Sequence, residues 1–235
     1  MRPGSGRRRL RGDRRRRRGA APIGRGWRGV YARSTTVQAH LDSIDNGIAF
    51  IRDDVMSALM DMPGCVGMSM LVDREMGRCI ATSAWDSMES MRASEDMARP
   101  MRERAAEIMG NRAQVDEWEI AVLHRDHPTH QGACVRATWV RFDADALDRA
   151  IDVYRVGMLP AMQDLEGFCS ASLMIDRESG IAVSSVTYDD SAAMERTRDE
   201  ADSLRLSGAR DAGVEVLDVC EFELALAHLH VPEMV

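Results

Sequence analysis

Sliding the chain against itself by 103 residues lays 30–110 over 133–213 without a gap, and 22 of the 81 aligned positions are identical. Chance at this composition gives several-fold fewer. The matches cluster. Arg33-Ser34-Thr35-Thr36-Val37 lies over Arg136-Ala137-Thr138-Trp139-Val140, and Asp73-Arg74-Glu75-Met76-Gly77 over Asp176-Arg177-Glu178-Ser179-Gly180. Pro63-Gly64 lies over Glu166-Gly167, and Trp85-Asp86 over Tyr188-Asp189. After one inserted residue, Glu117-Trp118-Glu119 lies over Glu221-Phe222-Glu223 and His124 over His228. A repeat of this length is too long for a solenoid, so each copy is a small domain. The resulting division is a leader 1–29, a first unit 30–125, a linker 126–132, a second unit 133–229 and a tail 230–235.

Each copy reads strand, helix, strand, strand, helix, strand. In copy one, 30–39 is rich in β-branched residues and opens the sheet. Asp42-Ser43 is a candidate N-cap for a helix over 44–62, whose apolar positions keep a spacing of three to four until Pro63-Gly64 stops it. Strands 65–72 and 78–85 flank Asp73–Gly77 as a hairpin, with Gly77 suited to a left-handed position. Asp86-Ser87 can cap a second helix over 88–109 that ends at Gly110-Asn111, and 115–123 is the last strand. Copy two repeats the order over 134–142, 146–165, 168–175, 181–188, 191–212 and 216–227. This is the α+β class: a ferredoxin-like βαββαβ unit that leaves one sheet face bare. Two tandem units can cover each other's bare faces and form an α+β barrel inside one chain.

Charge divides the chain. Residues 1–28 carry 12 of the 31 arginines and one acid, Asp13, while the whole chain is at −7. So apolar-poor a leader cannot offset the entropy of ordering and is expected to be disordered. It is read either as a polycationic arm for nucleic acid or as sequence upstream of the true start, with Val30 as the initiating codon; nucleic acid is expected only through it. It lacks the apolar stretch of a secretory signal, and no apolar run approaches the ~18 residues that cross a bilayer. Every basic residue is arginine, which excludes Schiff-base chemistry and a lysine phosphate loop. Five cysteines, with no CxxC pair, argue against a disulfide framework and for free thiols in a reducing cytoplasm.

The linker histidines His124, His127 and His130, with Cys134 nearby and His228 and His230 at the equivalent end of copy two, have the chemistry of zinc ligands. A spacing of three on an extended linker does not bring imidazoles to one point, so they are read as solvated, and neither metal nor cofactor is expected.

The duplicated unit, the GCVGMSMLVD and GFCSASLMID strands and the WDSMESM segment resemble the dimeric α+β barrel superfamily, in its antibiotic biosynthesis monooxygenase-like branch. The body also resembles a tandem-repeat family of high-GC bacteria, a likeness that carries fold and not activity. The superfamily resemblance implies a pocket between the sheet and the helices of each unit. It matches the aromatic before helix two to Trp85 and Tyr188. The histidine expected nine residues later is replaced by Ser94 and Thr197, and helix two holds no histidine, which argues against haem cleavage.

The residues kept in both copies are the candidates. Arg33 and Arg136 on the first strands can hold a carboxylate or stabilise a phenolate; the ordinary alternative is an ion pair with the Glu-x-Glu of the last strand. Trp85 and Tyr188 are the other catalytic candidates. Thr35, Trp118, Thr138, Trp139 and Tyr154 are candidate ligand-binding residues. Eleven of the 17 methionines lie between Met56 and Met109, either as an adaptable lining that would make copy one the binding copy and copy two scaffold, or as core. Two functions stay open: a cofactor-free monooxygenase acting on a small quinol- or phenol-like compound, and a non-catalytic small-molecule-binding or stress-associated protein. A lipophilic or aromatic ligand and a homo-oligomer fit either.

Overall fold

A computed structural model describes residues 29–231 together with 233 and 234; the expectations for the leader lie outside these residues. Eight strands close one antiparallel barrel: β1 (Val30–Gln38), β2 (Cys65–Val72), β3 (Arg78–Trp85), β4 (Ala113–Arg125), β5 (Cys134–Arg141), β6 (Phe168–Asp176), β7 (Ile181–Tyr188) and β8 (Glu215–Leu229). Their order around it is β1-β3-β2-β8-β5-β7-β6-β4. Each half contributes four strands in the ferredoxin-like order, and the halves join at two seams, β2 against β8 and β4 against β6. No strand of the barrel is left with an open edge, the liability that closure removes.

The helices pack outside. In the first half α1 (Ile44–Phe50) runs through a π-helical stretch, Ile51–Val55, into α2 (Met56–Met60); the second half repeats this with α5 (Leu147–Asp152), a π-helical stretch Val153–Met158 and α6 (Leu159–Gln163). A short turn, Leu41–Ser43, precedes α1, and the Ser43 side chain makes no capping bond. Ser87 does cap: its Oγ accepts from Ser90 N at 3.1 Å, and Asp190 takes the same part for Ala193 N at 2.7 Å.

The single second helix expected in each copy is two: α3 (Met88–Ala93) and α4 (Glu95–Met109), then α7 (Ser191–Arg196) and α8 (Arg198–Ala212). The breaks fall at Ser94 and Thr197. Both are buried, and their hydroxyls bond back to helical carbonyls, Ser94 to Met91 O and Thr197 to Ala193 O and Met194 O. Such back-bonding competes with the helix and bends it. The position where the resemblance places a histidine is thus the corner of the helix.

Period-two alternation sorts the strand side chains into three cores. Val37, Met68, Met70, Cys79 and Trp85 meet the helices of the first half; Ala171, Leu173, Ile175 and Tyr188 meet those of the second. Val30, Ala32, Ile80, Trp118, Val183 and Phe222 face inward to the lumen.

The paired glutamates of the last strands divide their work. Glu117 and Glu221 hold the arginine of their own half, as the ion-pair alternative expected. Glu119 instead takes Arg177 from the other half's hairpin, at 2.7 and 3.0 Å, while Glu223 takes Arg74 at 2.6 Å. The two clamps are equivalent, one at each seam. At the β2–β8 seam the chain backbones come close: a Cβ added to Gly67 would lie 2.8 Å from the His228 carbonyl oxygen and 2.9 Å from Leu229 Cα. Gly67→Val is therefore expected to force the seam apart at a cost of about 1–3 kcal/mol, read as a lowered urea midpoint; an unchanged midpoint would show that the strands slide without penalty.

Candidate functional site

Cavities lie between sheet and helices in both halves. That of the second half holds about 90 Å³ and that of the first about 50 Å³. Substitutions between the copies act in both directions: Met68 and Met109, both buried in the first core, stand where the second copy has Ala171 and Ala212, while Val55 and Leu59 stand where it has Met158 and Met162. The larger of the two cavities lies in copy two, whereas the methionines pointed to copy one as the binding copy.

Arg33 and Thr35 line the smaller cavity; Arg136, Thr138, Tyr154 and Tyr188 line the larger. Trp85 is fully buried in the first core and bonds through Nε1 to Ser83 Oγ at 3.0 Å. It packs beside the cavity without lining it.

The two arginines are held differently. Arg33 is saturated: Nε and Nη2 donate to Glu117 at 3.3 and 2.8 Å, while Nη1 reaches Ser94 Oγ and Glu95, each at 3.2 Å. In copy two Glu95 is replaced by Arg198, which turns to Glu221 at 3.0 Å. Arg136 donates from Nε to Glu221 at 3.0 Å and from Nη2 to the Met194 carbonyl at 3.0 Å. Its buried Nη1 has no partner among the described residues. Copy one has an unpartnered guanidinium nitrogen too, Nη1 of Arg102 from α4, beside the smaller cavity.

Two phenols complete the larger cavity. The Arg136 guanidinium lies 5.6 Å from the centre of the Tyr188 ring. Tyr154 sits on the π-helical stretch; its hydroxyl donates to the Ser172 carbonyl and accepts from Ser184 Oγ, both at 3.1 Å. Burial pushes both phenols above their ordinary pKa, with Arg136 opposing the shift at Tyr188, so both stay protonated at neutral pH.

Trp118 and Trp139 are on the other side of the sheet. Both face the lumen, Trp118 donating to Ser34 Oγ at 2.8 Å and Trp139 lying 4.2 Å beneath the Arg78 guanidinium. They do not join Arg33 or Arg136, because alternation along β4 and β5 sends adjacent side chains to opposite faces. The lumen also holds a cavity of about 500 Å³ that all eight strands line, among them Ser69, Thr82, Ser172 and Thr187.

No family model matches the chain. Solved structures share its fold at sequence identities that speak for fold alone. A candidate monooxygenase from Lactobacillus acidophilus NCFM is 9% identical with a TM-score of 0.65, over 86% of this chain and 97% of that one. An anthrone oxidase-like protein is 11% identical with a TM-score of 0.61, over 88% and 95%. Among sequences, the uncharacterized protein Rv2557 of Mycobacterium tuberculosis H37Rv is 58% identical over 206 residues, covering 88% of this chain and 92% of its own. Rv2558 of the same strain is 56% identical over 207 residues, covering 88% of each. With the barrel fold shared by the solved structures and this identity over most of both sequences, the chain belongs to the family of these two mycobacterial proteins.

Proposed function

We propose that the protein is a cofactor-free oxygenase of a small phenol or quinol, bound between sheet and helices of the second half. The observation that carries this reading is the unpartnered Nη1 of Arg136 beside an apolar cavity. A buried cationic donor without an acceptor is costly unless a ligand supplies one, and a phenolate oxygen is such an acceptor. Desolvation in apolar walls raises the electron density available on a bound phenolate, so the substrate itself can reduce O2. One oxygen atom becomes the new ring carbonyl. The other leaves as water with the two hydrogens removed from the phenol hydroxyl and the ring carbon, so no external reductant enters.

Size restricts the substrate. An apolar cavity of ~150 Å³ holds benzene, and this one has about 90 Å³. A single ring fits only if Met158, an unbranched and flexible side chain on its wall, swings aside; a fused tricycle does not. Oxygen uptake with a panel of catechols, hydroquinones and anthrones tests this: turnover is expected with single-ring members, and its absence across the panel would overturn the proposal.

The lumen supports a second reading, non-catalytic binding of a small molecule. Its cavity of about 500 Å³ is several times larger and carries hydroxyls from Ser69, Thr82, Ser172 and Thr187. Saturable binding without oxygen uptake, lost when Ser172→Leu fills the lumen, is the result that favours it.

A further inference from the structure

Two of the linker histidines converge on one point, although His130 stays exposed to solvent. Nε2 of His127 and Nε2 of His130 both point at one carboxylate oxygen, Oδ1 of Asp189, at 2.9 and 3.2 Å. The buried Cys169 Sγ lies 3.3 Å from the same oxygen. Cys169 and Asp189 arrive from β6 and the turn after β7, and the linker is tied to them by the Asp126 amide, which donates to the Cys169 carbonyl at 2.8 Å.

Hydrogen counting makes this arrangement unusual. Nδ1 of His127 faces the Asp126 carboxylate at 3.0 Å, and Nδ1 of His130 faces the Gln131 carbonyl at 3.1 Å. His127 thus faces a carboxylate from each ring nitrogen, and no neutral tautomer donates to both. Nε2 of His130 and the Cys169 sulfur converge on the same Asp189 oxygen, which places nitrogen, sulfur and oxygen donors around one point. The potential ligand atoms of His127, Cys169 and Asp189 lie within 4.8 Å of one another.

We propose that His127, His130, Cys169 and Asp189 form a binding site for one divalent cation of zinc type. Imidazole nitrogen, thiolate and carboxylate oxygen are each donors that zinc takes, and four of them satisfy its tetrahedral preference. The charges balance, since the thiolate and the carboxylate neutralise a 2+ ion. Binding displaces the Cys169 proton to solvent, and Asp126 orients His127 from behind, as outer carboxylates do for metal-bound histidines. Without an ion, burial and the neighbouring Asp189 push the Cys169 thiol up to about 12. The site belongs to the second half alone: the counterpart of Cys169 is Val66, and the counterpart of Asp189, Asp86, accepts from Ser87 instead. His127 and Asp126 also line the lumen cavity, so the ion would pin the linker across one mouth of the barrel. This inference does not depend on the oxygenase reading.

Cobalt titration of the untagged, chelator-treated full chain tests it. One Co2+ per chain is expected, with the thiolate-to-cobalt charge-transfer band and tetrahedral visible bands, both bleached by Zn2+. Cys169→Val takes the side chain of the first half at this place, so the fold is retained, and it should abolish the charge-transfer band. Asp189→Asn, isosteric, should weaken binding at least tenfold and serves if valine disturbs β6. No Co2+ uptake overturns the site. So does a band that survives Cys169→Val, or uptake that is lost in His228→Ala instead, which would put the ion on the neighbouring His228–His230 pair, whose Nε2 atoms are 3.2 Å apart.

Discussion

Trp85→Ala is expected to lower the stability of the protein by about 3–5 kcal/mol, the usual cost of truncating a buried tryptophan. For a chain of this size that is a fall in melting temperature on the order of 10 °C. Trp85 is fully buried, packs in the first core and anchors its indole N–H on Ser83. It also ends β3 between two partners, Tyr31 on β1 and Cys65 on β2. Removing it opens a void under three strands at once, and the nearby cavity of about 50 Å³ shows that this layer does not collapse to fill every gap. A melt shifted by less than a few degrees would mean that the methionines around it repack into the space. Oxygen uptake per folded molecule should be unchanged, since the proposed site lies in the other half.

The largest effect on function is expected from Arg136→Gln, a loss of about a hundredfold in turnover of the best phenol, the scale of removing one charge-stabilising donor. The variant should still fold. Glu221 keeps Arg198 at 3.0 Å and is itself part exposed, so its carboxylate is not orphaned. Arg33→Gln is the matched control: Glu117 keeps Arg92 and Glu95 keeps Arg99 and Arg102, and turnover should stay at the parental level. Equal losses in both variants would show that the arginines act through the barrel rather than through one cavity. A loss confined to Arg33→Gln would move the site to the first half.

Much of this architecture is legible because it is written twice. Duplication identifies the unit, Gly77 and Gly180 take the positive φ their hairpins need, and the Arg33–Glu117 and Arg136–Glu221 pairs follow from residues kept in both copies. The faces of Trp118 and Trp139 were also within reach. Once Glu117 is assigned to Arg33, alternation along the strand sends Trp118 the other way. Differences between the two halves sit in the alignment, as Met68 against Ala171 and Glu95 against Arg198, but their meaning needs the packing. The histidine cluster is different in kind. Spacing along the linker says nothing of Cys169 and Asp189, which lie 42 and 62 residues beyond His127 and reach it through the pairing of Phe168 with Tyr188 and the irregularity that follows.

The reciprocal clamps at the two seams have a consequence for how such a molecule can change. When identical subunits close a barrel, any substitution appears twice and the assembly falls apart on dilution. Here residues 126–132 tether the halves, so closure is a first-order event set by the local concentration the tether enforces. The barrel then persists at any protein concentration, and the two halves are free to diverge, one keeping a smaller cavity and the other a larger one.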